Sequence, residues 1–361
     1  MTRGGSAPAA LPRQRAELAV VAAPAWREAC LRELEGGGRF CGAYAARTGA
    51  ERRFTALFAH GPSTRALTTS LGDAPAPSIV DLIPAADWDE REAHDLYGLR
   101  FEGREPPRPL ATHTAETAGW TVPVEGKGTY QVAVGPIHAG VIESGHFRFH
   151  VVGERILQLD LRLFYKHRGL ERAAEGREAA AGLPYAQRAC GACAVANSVS
   201  YALACEGALG YLSSPEMRRA RTVLLELERL YNHLNDIAAI CAGVGFAPGN
   251  MAFAALKERA LRLNQELAGH RFLFGTVAVG SSPLGLGAEQ VDRARGLLRE
   301  LGEDAARAWR EVAFAASVQA RLGGVGALSR EDAANLGAVG PVARACGIGF
   351  DARSVNPGLS Y

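Results

Sequence analysis

Cys190 and Cys193 flank Gly191-Ala192 and stand directly ahead of a small, apolar run over 195–207 that no proline interrupts. The length of that run, bounded by Gly191 and Gly210, predicts a buried helix rather than a strand. A Cys-x-x-Cys at a helix start lies near free backbone N–H groups and the positive end of the helix dipole. Both favour thiolate, the form that binds soft metals or does redox chemistry. Spacing alone supports two readings, a metal or redox pair and two inert buried cysteines. A zinc site would want a second pair of Cys or His ligands, and none of the other five cysteines forms another Cys-x-x-Cys. A thioredoxin-like pair belongs in a βαβ unit, whereas the surroundings here read as helical.

Two other groups of residues invite a chemical reading. Asp87, Asp89, Glu90 and Glu92 crowd the start of a predicted helix. Paired-carboxylate catalysis is one use of such acids; a solvated or subunit-facing surface near a helix N-terminus is the plainer expectation. His138, His146, His150 and His167 suggest a metal cluster. In a strand, however, His146 and His150 share a face at ~13 Å separation, too far for one ion. Gly324-Val-Gly326 lacks the third glycine and the preceding strand of a dinucleotide loop, so no NAD binding is expected. The cysteines do not make the set of about four thiolates that an iron–sulfur cluster needs.

Composition narrows the class. The chain has 361 residues, 48% of them hydrophobic, with a net charge of +2. Two domains are the natural expectation at this length, and the charge gives no reason to invoke nucleic acid. The most apolar region, 237–256, is broken by Gly243, Gly245, Pro248 and Gly249, so no transmembrane segment is expected. Residues 1–15 have no continuous apolar core, so no signal peptide is expected and the stretch reads as a disordered tail. Seven scattered cysteines fit a reducing cytosol.

The elements that must position these residues follow in order. Pro24 opens a helix whose Trp26, Cys30 and Leu34 share one face before Gly36-Gly-Gly38 ends it. Strands are predicted over 40–44, 54–58, 66–71 and 78–83, then a helix from Pro84 to the stop at Gly98. Together, 16–103 read as a small α/β domain. Residues 104–128, rich in Pro, Gly, Thr and Glu, form a linker. Residues 129–361 form the second domain, opening with strands over 130–134, 141–152 and 155–163. Ser213 with Glu216 fits a capping box, or Ser214 caps with Pro215 first. Val223, Leu227, Leu230, Leu234, Ile237 and Cys241 make a core-facing stripe; Leu256, Ala260, Leu263 and Leu267 begin another; 291–312 carries a third. The expected class is α+β: a small α/β N-terminal domain, then a mainly helical bundle with a short β-rich entry region.

The segment Arg188-Ala-Cys-Gly-Ala-Cys193 resembles the first nickel-ligand motif of nickel–iron hydrogenase large subunits, Arg-x-Cys-Gly-x-Cys followed by a helix. With Tyr201 and Glu206 downstream it is most similar to the complex I-related, membrane-bound group, such as the formate hydrogenlyase large subunit. Asn197 stands where that group usually carries histidine. Ala86-Asp-Trp-Asp-Glu-Arg-Glu-Ala-His-Asp-Leu-Tyr-Gly98, followed by Phe101-Glu-Gly103, resembles the signature of the complex I 30 kDa subunit, and Arg104–Pro109 replaces that family's next loop. Gly135-Pro-Ile-His138 and His167-Arg-Gly-Leu-Glu171 match stretches of the complex I 49 kDa and hydrogenase large subunits.

The resemblance implies Cys190 and Cys193 as nickel ligands and Glu143 as the catalytic proton relay. His138 and Arg188 would be cofactor-binding, His138 lying in the turn that lines the quinone cavity of complex I. It implies a nickel–iron centre of which this chain carries half the ligand motif, since relatives continue to a second Cys-x-x-Cys and Cys346 is not part of one. The alternative is a non-catalytic or quinone-site subunit of an NADH:quinone oxidoreductase-like complex. The implied partners are an iron–sulfur small subunit and membrane subunits, and the implied location is the inner face of the cytoplasmic membrane. The chain is expected to be a truncated form that is inactive alone.

Overall fold

The computed structural model describes the chain apart from residues 1–15, 73, 106–108, 111–119, 136–144, 283 and 356–358. The described chain divides into two compact units. One comprises Ala16–Arg168 with Ser329–Phe350; the other comprises Gly169–Leu328 with Asp351–Tyr361.

In the first unit β1 (Glu17–Val20) leads to α1 (Trp26–Glu35), then to β2 (Arg39–Thr48), β3 (Glu51–His60) and β4 (Ser63–Leu71). The sheet order is β1-β4-β3-β2, with β1 parallel to β4 and the other pairs antiparallel. Alternation in β3 sends Phe54, Ala56 and Phe58 into a core with Trp26 and Cys30 of α1, all of them buried. Trp26 meets Phe54 at a ring-centroid distance of 5.7 Å. On the opposite face Thr55 and Thr68 share a hydroxyl hydrogen bond of 2.9 Å.

Short β5 (Ala76–Pro77), α2 (Asp87–Tyr97) and short β6 (Phe101–Glu102) follow, and β5 pairs with β6 in parallel. Residues 78–83 are not the expected strand. Glu90 of α2 is fully buried and accepts from Ile79 N at 2.8 Å and from Ser78 Oγ at 2.8 Å. Ser78 N still pairs with Glu102 O at 2.8 Å, but at Ile79 a side chain takes the backbone hydrogen bond a strand partner would have taken. Arg104 donates to Glu90 and to Asp87. Asp89 accepts from Ala43 N, and burial pushes its carboxyl up to about 6. These three acids of the expected solvated face instead fasten α2 to its own unit.

β7 (Thr129–Val134), β8 (His146–Val152) and β9 (Arg155–Arg162) form an antiparallel meander. The other unit opens with α3 (Leu170–Ala174), α4 (Ala179–Gln187) and α5 (Ala194–Leu209). Then come α6 (Pro215–Gly243), α7 (Ala247–Ala268), α8 (Ala288–Ala313) and α9 (Ala316–Leu322). Ser214 caps α6 by accepting from Met217 N, with Pro215 first, which decides between the two expected caps. The α6 stripe is rotated slightly from expectation. Leu224 is buried and Val223 is 42% exposed, while Leu227, Leu234 and Cys241 face α7 and α8 or the α5 side as expected. Helices α10 (Arg330–Asn335) and α11 (Gly340–Ala345) return to the first unit, where Phe350 lies under the Arg39 guanidinium at 3.8 Å. Helix α12 (Ala352–Val355) belongs with the bundle. The whole is α+β, with a helical bundle after sheet-bearing segments, as the sequence predicts.

Candidate metal-ligand site

The cysteine pair occupies the turn between α4 and α5. Cys193 N donates to Cys190 O at 3.2 Å, which closes a β-turn over Gly191 and Ala192. The Cys190 thiol donates to Cys193 Sγ at 3.1 Å, so both sulfurs point to one place. Cys193 is the N-cap residue of α5, but its side chain makes no cap hydrogen bond.

The cap comes from α6 instead. Glu228 is buried, and its carboxylate accepts from Val195 N at 2.6 Å and from Ala196 N at 2.9 Å. These are the second and third N–H groups of α5, the ones an N-cap side chain ordinarily serves. One turn along, Tyr231 Oη and Asn232 Nδ2 each donate to Ala192 O at 2.7 Å. Positions i, i+3 and i+4 of one helix therefore grip the cysteine turn at its midpoint and at the head of the following helix.

This clamp reverses the electrostatic expectation for Cys193. The free N–H groups that were to stabilise a thiolate already hold a carboxylate. Burial, the Cys190 thiol, and the negative charges of Glu228 and Asp236 push the Cys193 thiol up to about 12. In the metal-free chain Cys193 is a protonated thiol. At pH 8, iodoacetamide should alkylate it roughly 10- to 100-fold more slowly than an ordinary thiol of pKa ~8.5. Peptide mass spectrometry over a time course checks this, and labelling of Cys193 at the ordinary rate would contradict it. Burial also holds the Glu228 carboxyl above the usual carboxylate range, because desolvation outweighs the two backbone donors.

Around the turn, α5 is fixed on both sides. Arg221 of α6 forms a bidentate pair with Glu206 at 2.9 and 2.6 Å; neither side chain is more than 3% exposed. Glu206 also accepts from Gly280 N at 2.7 Å, and Arg221 donates to Ala278 O. On the α4 side Gln187 donates to Ser198 Oγ. Gly182 is needed where α4 meets α5, since a Cβ there would lie 2.0 Å from Tyr201 Oη. Arg188 ends α4 and stacks its guanidinium over Phe274 at 4.9 Å. Asn197 lines a cavity of about 350 Å³ with Tyr185, Ala189 and Tyr201, among others.

Of the expected site residues, the structure brings Cys190 and Cys193 together and sets Arg188 just before them. His138 and Glu143 lie outside the described residues. The remaining histidines find separate partners. His150 Nε2 shares a hydrogen bond with Asp160 at 2.9 Å, His146 meets the Trp120 ring at a tilt, with centroids 4.9 Å apart, and His167 lies 3.7 Å from Glu92. Among the polar residues of α6 the sequence draws the eye to His233, Asn235 and Asp236. Asn235 bonds Lys257, and His233 and Asp236 are exposed. Glu228, Tyr231 and Asn232, which hold the cysteine turn, escape that reading. Their signal is a polar i, i+3, i+4 set within a stripe of leucines.

Comparison with known proteins agrees with the paired signatures. The family of the respiratory-chain NADH dehydrogenase 30 Kd subunit matches residues 38–125, and that of the 49 Kd subunit matches residues 244–361. Formate hydrogenlyase subunit 5 of Escherichia coli (strain K12) is 31% identical over 79% of this chain and 55% of its own length. Hydrogenase-4 component G of the same organism is 33% identical over 72% of this chain and 51% of its own. The carbon monoxide-induced hydrogenase of Rhodospirillum rubrum is 28% identical over 64% of this chain and 65% of its own. The chain thus spans about half to two-thirds of the length of these curated relatives. A chain of the membrane-bound sulfane sulfur reductase, an archaeal respiratory membrane complex, shares the fold at a TM-score of 0.61 and 24% identity, over 66% of this chain and 64% of that one. Among the described residues no helix is long and apolar enough to cross a membrane. One polypeptide thus carries a 30 kDa-type region followed by a 49 kDa-type region, and it is similar to formate hydrogenlyase and hydrogenase-4 subunits.

Proposed function

We propose that this chain is the large-subunit-like component of a membrane-associated, complex I-related nickel–iron hydrogenase of the formate hydrogenlyase type. The observation that carries the reading is the Cys190–Cys193 turn. It presents two soft sulfur donors 3.1 Å apart, on backbone gripped from α6, in a chain 31% identical to formate hydrogenlyase subunit 5.

The donor chemistry suits nickel and iron, which favour thiolate ligands. Among the described residues no group of three or more His, Cys, Asp or Glu side chains could hold an ion. The pair therefore fits one half of a ligand set, which Cys190 and Cys193 would provide. When bound, the centre supplies redox chemistry between protons and hydrogen. In this chain Tyr231 and Asn232 fix the turn, Glu228 anchors the helix behind it, and Arg188, two residues before Cys190, stacks on Phe274 and belongs to the same proposal through its motif position. Glu143 as proton relay and His138 as cofactor neighbour belong to the same proposal through their motif positions. Its partners would be an iron–sulfur small subunit and membrane subunits, with this chain peripheral on the inner face of the cytoplasmic membrane.

Elemental analysis of the native complex, isolated through this chain, is expected to find nickel and iron. A Cys190→Ser, Cys193→Ser double variant should lose the nickel. The purified 361-residue chain should hold no stoichiometric nickel, because two thiolates leave the coordination shell open. A native complex without nickel would sink the hydrogenase reading. It would favour the second one, a non-catalytic or quinone-site subunit, which the 49 Kd subunit match over residues 244–361 supports.

The domain boundary belongs to the same proposal: an N-terminal domain over 16–103, a linker over 104–128 and the large-subunit-like domain over 129–361. Leu110 is buried, and its N–H donates to Asp95 at 2.7 Å, so the start of the linker is tied down. Limited proteolysis is expected to cut first between Gly103 and Gly128, on the C-terminal side of Leu110. First cleavage within residues 78–83, where Glu90 holds the backbone, would place the boundary elsewhere.

A further inference from the structure

We infer that Cys190 and Cys193 form a reversible dithiol–disulfide couple, so that oxidation of this chain closes the very pair that would otherwise take a metal. Three observations on the turn lead there. The sulfurs already touch at 3.1 Å. The hydrogen bond from Cys193 N to Cys190 O makes 190–193 a β-turn, which keeps its end Cα atoms within ~7 Å; a disulfide spans about 4.4–6.8 Å between Cα atoms. Finally, Tyr231 and Asn232 hold the Ala192 carbonyl, and Glu228 holds the head of α5, so the sulfurs stay opposed instead of sampling other rotations of the turn.

Both cysteines are partly exposed, within reach of a small oxidant. Cys205, by contrast, lies three turns along α5 and has Tyr201 as its neighbour. The oxidant is a low-molecular-weight disulfide. One cysteine sulfur attacks it, displaces one small thiol and forms a mixed disulfide. The second cysteine sulfur attacks the first, expels the other small thiol and completes the Cys190–Cys193 bond. Two S–H bonds of the protein are lost and one S–S bond forms. Two electrons pass to the small disulfide, and its two sulfurs leave carrying the two protons.

In the oxidised form neither sulfur is a thiolate donor, so disulfide and metal exclude one another. The couple would protect an unloaded chain from irreversible sulfur oxidation and delay metal entry until a reductant acts. This consequence for loading rests on the proposed function; the disulfide itself does not.

The experiment uses the full 361-residue chain, reduced, freed of reductant and then equilibrated against glutathione disulfide and glutathione. Free thiols are trapped with N-ethylmaleimide and the peptides are read by mass spectrometry. The expected result is a loss of two hydrogens located between Cys190 and Cys193, alkylation of Cys205, and return of both thiols with dithiothreitol. The equilibrium constant for closure should be about tenfold higher in the folded chain than in urea, as expected from two hydrogen bonds that fix the turn. Cys190→Ser should stop at a glutathione adduct on Cys193. Adducts that persist on either cysteine of the unsubstituted chain would overturn the inference, as would closure no better folded than in urea. The nickel content of the native complex is measured separately. A disulfide without nickel would leave the couple standing and remove the hydrogenase reading; nickel without a disulfide would do the reverse.

Discussion

Replacing Arg221 with methionine is expected to lower the unfolding free energy of the helical unit by about 3–5 kcal/mol, the range for breaking a buried ion pair. The guanidinium is fully buried and binds both oxygens of Glu206, whose side chain is 3% exposed. Without it, a carboxylate between α5 and α6 loses two charge-assisted hydrogen bonds and keeps, among the described residues, the one from Gly280 N. The loss also leaves the carbonyl of Ala278 with only its bond from Ser281 N among the described residues, so the turn at 278–281 should loosen. Pairing Arg221→Met with Glu206→Gln removes the stranded charge while keeping an acceptor for Gly280, and most of the stability should return. Urea unfolding followed by helical circular dichroism reads both variants. A single variant within about 1 kcal/mol of the unsubstituted chain would mean that the pair is not what holds α5 to α6.

Glu228 should show the second large effect, and it joins stability to the chemistry of the site. Glu228→Ala leaves Val195 N and Ala196 N without their acceptor at the head of α5. Each unsatisfied buried donor costs about 1–3 kcal/mol, so a total loss of about 2–4 kcal/mol is expected once the helix end frays to admit water. Glu228→Gln keeps one acceptor oxygen and should cost about 1 kcal/mol.

The pH dependence has a definite sign. Burial raises the folded-state pKa of Glu228 above the ordinary glutamate value of 4.5. Over the window from the unfolded pKa up to that raised value, the folded chain binds the proton more tightly than the unfolded chain does. The contribution of Glu228 to stability is therefore fully present below the window and is lost as pH rises through it. In Glu228→Gln that slope should disappear. Because the Glu228 charge also opposes ionisation of Cys193, the same variant should alkylate faster at Cys193 at fixed pH. Unchanged alkylation together with an unchanged slope would remove Glu228 from the electrostatics of the turn.

Much of the skeleton was legible because it depends on short-range pattern. The apolar run after Cys193 became α5, and Pro215 behind Ser214 became the start of α6. The phase of Trp26 and Cys30 became the buried face of α1. Periodicity reports which face of an element is apolar, and burial of that face is the dominant drive to fold. The same rule failed at residues 78–83. Ser78 and Ile79 carry a strand-like pattern, but Glu90, eleven residues beyond Ile79, offered their backbone and hydroxyl donors a buried carboxylate.

The family resemblance and the sulfur pair could be read directly from the chain, since both reside in residue types at fixed local spacing. The protonation state of that pair could not, because it depends on packing between helices. A helix N-terminus next to a cysteine favours thiolate only while its N–H groups are free. Here they are occupied by Glu228, thirty-three residues beyond Val195, on a helix whose packing alone brings it there. Spacing along a chain conveys nothing about a charge that arrives from another helix. The thiols of Cys190 and Cys193 are therefore held together, but held protonated at Cys193, by residues that only the fold makes their neighbours.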